Sequence, residues 1–446
     1  MKRFLFTLIL LTCIKQINAQ LCFNPYVRYN VGTQPQAIAG NDFNSDGFID
    51  LAVANASSAN ISILLNNGSG GFGTPASFSV AANPGFICSA DFNNDNFKDL
   101  VITYGFRDTI SILLGDGTGN FGTVTNFTTS IKLGFVCTAD FNSDGFQDLV
   151  ANNYNANNLA VLLGTGTGSF GAPTTYTTGT GPNSTTVIDV NGDSKLDLVV
   201  ANYNSNNVSI LLGNGAGGFS AATNFASGTN SNSVAGADFN GDGKLDLAVT
   251  NFTINKVSIL LGNGTGGFGT ATSLTTGTFP FCIVNADFNG DGFQDIATGN
   301  YNSNNVSVLL GNGTGSFATA ANFPQGTSVN SMIAVDLNMD GKTDIATTVY
   351  GYCETLLNCS VLGITNFSDE KNVSIYPNPA QNNFTIEVSN SEKQNLSVFD
   401  VNGKQVLSQT INGNANIDAS VLSPGVYNIS ISSNEGVTNK KLVIVK

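Results

Sequence analysis

Residues 286–297 read ADFNGDGFQDIA, and this stretch decides the fold. Asp287, Asp291 and Asp295 stand four residues apart, with Asn289 between the first two. Carboxylates so crowded repel one another, in a chain where only 11% of residues are charged. The stretch recurs. Its first aspartate falls at positions 42, 91, 140, 189, 238, 287 and 336, every interval being 49 residues. The copies read DFNSDGFID, DFNNDNFKD, DFNSDGFQD, DVNGDSKLD, DFNGDGKLD, DFNGDGFQD and DLNMDGKTD. A fixed period near 50 residues marks one supersecondary unit repeated along the chain.

Each unit divides into four short strands. In the sixth, residues 281–286 enter the acidic loop and 295–300 leave it. Residues 306–310 follow, then a glycine hairpin, then 317–323. Short apolar runs joined by Gly/Asn turns are the hairpin signal. Four antiparallel strands per unit predict an all-β, seven-bladed β-propeller, with a stacked solenoid as the alternative. The seventh unit stops early, without a glycine hairpin or a fourth strand. The N-terminal stretch CFNPYVRYNVG (22–32) supplies what is missing: Phe23 lies 19 residues before Asp42, as Phe72 does before Asp91. The N-terminal strand is therefore expected to close the last blade, an arrangement an open solenoid does not need.

Composition narrows the function classes. There is no His and no Trp, and the formal net charge is −14. Absent His removes the commonest general base and transition-metal ligand. The negative charge argues against nucleic acid and anionic lipid. Residues 1–19 read as a signal peptide: Lys2 and Arg3, an apolar run over 4–14, and Ala19 at the cleavage end. That run is too short to cross a bilayer, and no later stretch approaches about 18 uninterrupted apolar residues. The mature chain is expected outside the cell.

Positions 1, 3, 5 and 9 of the acidic loop are Asp, Asn, Asp and Asp in all seven copies. Oxygen donors at that spacing suit a hard cation; calcium takes six to eight oxygens from carboxylates, amides and backbone carbonyls. Position 7 varies between Phe and Lys, so it is expected to offer its carbonyl. Position 6 calls for an unusual backbone, which Gly provides in five copies and Asn96 tolerates. Ser194 tolerates it less well, which makes the fourth loop the weakest site. No thiol or imidazole is present in the motif, which disfavours zinc and copper. A bland reading is a set of acidic turns, but seven complete copies argue against it. The loops hold 21 of the chain's 31 acids. Residues 21–362 carry 24 acids and eight bases, net −16, which seven calcium ions would bring to −2.

The pattern DFNGDGxxDLxVxN followed by VSILLGNGxGxF, over residues 21–360, resembles the FG-GAP/VCBS repeats of integrin-α-like propellers. The resemblance implies a seven-bladed propeller with calcium loops on one face, those loops mostly supporting the fold while ligands engage the opposite face. Carried onto this sequence it gives as ligands Asp42, Asn44, Asp46 and Asp50; Asp91, Asn93, Asp95 and Asp99; Asp140, Asn142, Asp144 and Asp148; and Asp189, Asn191, Asp193 and Asp197. The last three blades contribute Asp238, Asn240, Asp242 and Asp246; Asp287, Asn289, Asp291 and Asp295; and Asp336, Asn338, Asp340 and Asp344. The cofactor expected is calcium, up to seven ions.

The opposite face should carry the turns between second and third strands. In one register these hold Tyr154, Tyr203, Phe252, Tyr301 and Tyr350, amid many Asn. Such rings and amides suit stacking on, and hydrogen bonding to, a sugar; the simpler reading is that they cap the core. Cys88, Cys137 and Cys282 fall on innermost strands and read as buried thiols. Cys22, Cys353 and Cys359 gather at the ring closure. Either Cys353 or Cys359 is expected to bond to Cys22, or the two to each other, which export permits.

After about residue 362 the repeat ends. Residues 363–371 read as a linker, and 372–446 alternate apolar and polar residues with NG and PG turns, a small Ig-like β-sandwich. YPNPA (376–380), VFDVNGKQV (398–406), LSPGVYNISI (422–431) and the closing KKLVIVK resemble a type A sorting domain of the type IX secretion system. This implies passage across the outer membrane, with the secretion machinery as partner, removal of the tail, and surface attachment or release. The domains expected are 1–19, 20–362, 363–371 and 372–446. The function expected is a secreted or cell-surface, non-catalytic adhesion module that binds a glycan or protein. The alternatives are a polysaccharide lyase or hydrolase on the same scaffold, or a purely structural protein. Outside the loops the propeller has only Asp108, Asp116 and Glu354 as acids, too scattered to form a carboxylate pair.

Overall fold

A computed structural model describes residues 21–81, 83–105, 107–360, 373–388, 393–400, 404–433 and 436–445. The signal peptide and the linker expected from sequence lie outside these residues. Two compact units divide the chain, one within Ala19–Leu362 and one within Gly363–Lys446.

The first unit is a β-propeller. It contains seven four-stranded antiparallel sheets among the described residues. Blade six is typical: Pro280–Ala286, Asp295–Asn300, Asn305–Leu309 and Ala321–Pro324. Its outer strand is shorter than the sequence implies, because Phe317 makes only an isolated bridge to Gly311 across the hairpin. Innermost strands touch in series round the ring, and the last returns to the first, Ser331–Val335 against Pro35–Asn41. That closure rules out an open solenoid.

The second strands explain why simple alternation is missing from the sequence. Every residue of Asp50–Asn55 is buried. Leu51 and Val53 pack toward blade seven, with Leu337 and Ala346. Ala52 and Ala54 pack toward blade two, with Leu100 and Ile102. A strand covered on both faces reads as a continuous apolar run. The core is accordingly seven clusters, one between each pair of neighbouring blades.

Blade seven is made from both ends of the propeller. Val27–Asn30 pairs with Tyr352–Leu356 in the place of a fourth strand. Phe23 bridges Asn358, where other blades pair a hairpin Phe with Gly or Asn. Cys22 is disulfide-bonded to Cys359, and Cys353 is a buried free thiol. Cys88, Cys137 and Cys282 are free thiols of intermediate exposure that pack against the clusters between blades.

In blade six, Ser307 pairs with Asn322 across the third and fourth strands, hydroxyl to amide at 2.6 Å. Blade seven replaces that pair with Glu354 and Arg28. Arg28 donates to Glu354 Oε1 from Nε at 2.8 Å and Nη2 at 2.6 Å, and Gly326 N–H donates to Oε2 at 2.9 Å. The guanidinium lies against the rings of Tyr352 and Tyr26. Glu354 has no solvent exposure, so its charge is tolerable only while Arg28 is present.

The second unit is a small sandwich. One sheet holds Val373–Tyr376, Asn383–Val388 and Ala415–Asp418; the other holds Lys393–Phe399, Gln405–Asn412, Gly425–Ser433 and Gly436–Ile444. Phe384, Ile386, Leu396, Val398, Ile429 and Leu442 meet in one core between the two sheets.

The ion pair makes a testable prediction. Arg28→Ala strands a buried carboxylate and is expected to cost about 3–5 kcal/mol, read by urea unfolding. Arg28→Asn combined with Glu354→Ser, which restores the pairing of blade six, should recover most of that loss.

Candidate metal loops and the opposite face

Each acidic loop joins the first and second strands of its blade. Its backbone turns twice through left-handed conformations. At position 6, φ is 88° at Gly47, 71° at Asn96, 64° at Ser194 and 88° at Gly292. Position 4 is left-handed too, at Ser45, Asn94, Ser143, Gly192, Gly241, Gly290 and Met339. The sequence signals position 6 through its glycines; position 4 is hidden because four of its seven residues are not Gly. Met339, with φ 57° and 64% exposed, holds a strained conformation with nothing packed to offset it.

The side chains divide into two groups. Positions 1, 3 and 5 come together at the surface. In blade one, Asp42 accepts the N–H of Asp46 and of Gly47, at 3.2 and 2.9 Å. Asn44 Oδ1 accepts the N–H of Asp46, and its Nδ2 donates to Asp46 Oδ2 at 2.8 Å. Asp46 Oδ1 accepts the N–H of Phe48. Lys195, Lys244 and Lys342, at position 7, reach the position-5 aspartate of their own loops at 3.3–3.6 Å.

Position 9 turns inward. Asp50, Asp99, Asp148, Asp197, Asp246, Asp295 and Asp344 have no exposed surface. Each accepts two backbone N–H groups, one per oxygen. One donor is at position 2: Phe43, Phe92, Phe141, Val190, Phe239, Phe288 or Leu337, at 2.8–3.1 Å. The other opens the hairpin: Asn66, Gly115, Gly164, Gly213, Gly262, Gly311 or Asn358, at 2.6–2.8 Å. A Cβ on Gly311 would lie 2.2 Å from the carbonyl oxygen of Gln294, so blade six needs glycine at this approach. Blades one and seven use Asn instead, whose amides bond the position-8 carbonyls of Ile49 and Thr343.

The hairpin also grips the preceding blade. Gly119 N–H donates to the position-2 carbonyl of Phe43, and Gly168, Gly217 and Gly315 repeat this at Phe92, Phe141 and Phe239. The position-2 ring meets the hairpin Phe of the next blade edge to face, as in Phe43–Phe121 and Phe239–Phe317. At the closure, Phe288 meets Phe23.

The donor chemistry of the loops fits a hard cation: three carboxylates and an amide oxygen within nine residues, with no sulfur or imidazole. The lone pairs that position 9 does not spend on its two N–H donors remain as possible ligands. As the loops stand, no three acidic, Cys or His side chains among the described residues converge closely enough to hold an ion. The reason is visible in the bonds: positions 1 and 5 accept amides of their own loop, and position 9 lies beneath them. Burial pushes the position-9 carboxyls upward despite their N–H donors, and the charges at positions 5 and 1 add to the rise. Asp50, Asp99 and Asp344 reach about 6, and Asp295 about 7.

The opposite face carries the remaining predicted residues. Tyr203 and Phe252 are neighbours, with ring centroids 6.2 Å apart. Sequence reasoning missed two rings: Phe279 stacks on Phe252 at 4.8 Å, and Phe281 connects Phe252 to Tyr301, lying 6.0 Å from one and 6.1 Å from the other. None of these five rings belongs to the clusters between blades. Tyr154 donates to Asn204 Oδ1 at 3.3 Å. Tyr350 stands apart on blade seven, 69% exposed. The innermost strands enclose an axial cavity of about 690 Å³, with Asn183, Asn232, Phe281 and Asn330 in its wall.

Comparison with known proteins follows the same division. The FG-GAP-like repeat matches residues 42–102, 91–151, 140–200, 189–249, 238–298 and 287–347. A secretion system C-terminal sorting domain matches residues 374–445, which points to export across the outer membrane to the cell surface or beyond. No helix among the described residues is long and apolar enough to cross a membrane. No curated protein matches the sequence. Among solved structures, the chain is similar to BBS1N in complex with ARL6DN, with TM-score 0.54 and 15% identity, over 77% of this chain and 98% of that one. It is similar to a catalytically inactive virginiamycin B lyase from Staphylococcus aureus, with TM-score 0.52 and 13% identity, over 75% and 99%. A protein from Lactobacillus plantarum gives TM-score 0.52 and 11% identity, over 68% and 88%. At these identities the likeness is one of fold alone.

The raised position-9 carboxyls set a pH dependence. A folded pKa above the unfolded value means the folded chain binds more protons in between, so that stability is present at low pH and lost as pH rises through about 6–7. Metal-stripped protein is therefore expected to melt at a higher temperature at pH 5 than at pH 8 by calorimetry.

Proposed function

The chain belongs to the FG-GAP-like repeat family, and from that premise we propose that it is an exported, calcium-stabilised, non-catalytic binding module. The acidic loops hold the ions and stiffen one face. The opposite face engages an external ligand, a glycan or a protein. The observation that carries this reading is the repetition itself: seven loops share one donor set, and none differs as a catalytic centre would.

The placement of the other acids supports a non-catalytic role. Glu354 is buried and paired with Arg28. Asp116 sits in a hairpin, accepting from Thr118. Asp108 lies in the third strand of blade two. They occupy different blades or opposite ends of one blade, so no two flank a common substrate. Position 1, 3, 5 and 9 side chains, with the position-7 carbonyl, would supply each ion's oxygens. A bound cation neutralises carboxylates that otherwise repel, so its binding free energy adds to folding.

Calcium added to metal-stripped protein is expected to raise the melting temperature strongly and to bind with a stoichiometry near seven by calorimetry. A melting temperature indifferent to calcium and to chelator would remove the metal from this account. Glycan-array screening of the propeller, alongside an assay for release of reducing or unsaturated sugars, tests the rest. Binding without release is expected; release of sugar would overturn the non-catalytic reading, and turnover that survives substitution of Asp108, Asp116 and Glu354 would show that catalysis does not need these acids.

A further inference from the structure

We propose that the face opposite the acidic loops carries a single carbohydrate track on blades four to six, which runs to the axial cavity and takes a neutral oligosaccharide. This rests on the reading of the propeller as a ligand-binding module and names the class of its ligand. The track is the run of rings Tyr203, Phe252, Phe281 and Tyr301, each 6.0–6.2 Å from the next, with Phe279 stacked on Phe252 at 4.8 Å. All five keep exposed surface, Tyr301 the most at 43%.

Two of these rings break the repeat. One step earlier in the 49-residue period, the place of Phe279 is held by Asn230, and the place of Phe281 by Asn232. Gln34, Asn83, Gly181 and Asn230 occupy the Phe279 position in other blades, all left-handed, as the local turn requires. Phe279 keeps the same conformation, with φ 57°. A bulky aromatic is a poor occupant of that region, and such outliers gather at functional sites. Its backbone is held by an N–H bond to Asn255 Oδ1 at 2.9 Å and by the N–H of Tyr301 on its carbonyl at 2.8 Å. The strain does not serve the core, since the ring lies outside it, stacked on Phe252.

Phe281 joins the track to the axis. It touches Phe252 and Tyr301 and also lines the cavity of about 690 Å³. Beside it the wall presents Asn183, Asn232, Ser233 and Asn330, and no wall residue is charged. Across residues 182–324 every acid lies in an acidic loop, and Lys256 is the only base outside them. An anionic ligand would find almost no counter-charge here, and the wall mixes apolar side chains such as Phe86, Ile87 and Val234 with Asn and Ser. A pyranose matches both parts: its C–H face stacks on aromatic rings, and its hydroxyls bond to amides and serines.

The test uses the full chain and four neutral hexasaccharides, of β-1,4-linked glucose, N-acetylglucosamine, xylose and mannose, titrated by calorimetry and NMR. Phe279→Gly removes the ring and relieves the left-handed strain, so the fold should hold. At least one hexasaccharide is expected to bind at millimolar concentration or tighter. Phe279→Gly should weaken it roughly tenfold or more, with an unchanged or higher melting temperature, while Tyr350→Ala on blade seven leaves it unchanged. No binding by any hexasaccharide, or equal binding by Phe279→Gly, overturns the track. A parallel arm uses immobilised fibronectin and gelatin: binding there alone overturns the carbohydrate inference and keeps the ligand-binding reading, and binding on neither arm removes both.

Discussion

The buried aspartate at the ninth position of each loop is the interaction on which the propeller depends. One carboxylate closes the acidic loop through the position-2 N–H and fixes the hairpin through another. The hairpin then reaches the preceding blade through a backbone bond and a Phe contact. A single side chain thus couples the turn within a blade to the packing between blades. The cost is a carboxylate held away from water beside two others, and its raised pKa records that cost. A cation at the surface positions would offset the repulsion from outside while the N–H groups satisfy the aspartate from inside.

Most of the fold was legible because it repeats. The 49-residue period, the strand signals and the missing seventh hairpin led to a closed ring with its N-terminal strand in the last blade. The sandwich was legible from alternation and turns. What stayed hidden was division of labour within the motif. Four oxygens at fixed spacing look equivalent in a sequence, but Asp148 is buried and Asp144 is exposed. Burial depends on where the hairpin lies, which no spacing within nine residues reveals. The left-handed position 4 was hidden for a related reason: Ser45 and Met339 adopt it without the glycine that would signal it. Phe279 and Phe281 were passed over because they lie beyond the second-to-third strand turns and meet Phe252 only in the folded ring.

The two faces are built on different logic. The loop face is built on one repeated element: in every blade the position-9 aspartate accepts the position-2 N–H and the N–H that opens the hairpin. The opposite face is irregular, with rings concentrated on blades four to six and Tyr350 apart on blade seven. Uniformity suits a framework and irregularity suits recognition, since a framework gains from repetition whereas a ligand has one shape. The ring closure adds a third device. A neutral Ser–Asn pair becomes an ion pair at the one place where the strand comes from the other end of the propeller, which sets its register against Tyr352–Leu356.

The most direct test of the central claim compares Asp148→Asn with Asp144→Asn in metal-stripped protein, by urea unfolding. Asp148 accepts N–H groups from Phe141 and Gly164, and an amide can accept only one of them, its NH₂ facing the other donor. Asp144 is exposed, and an amide oxygen there can still accept the N–H of Phe146. Asp148→Asn is expected to cost about 1–3 kcal/mol and Asp144→Asn well under that. Equal effects of the two substitutions, or no cost for Asp148→Asn, would contradict the claim.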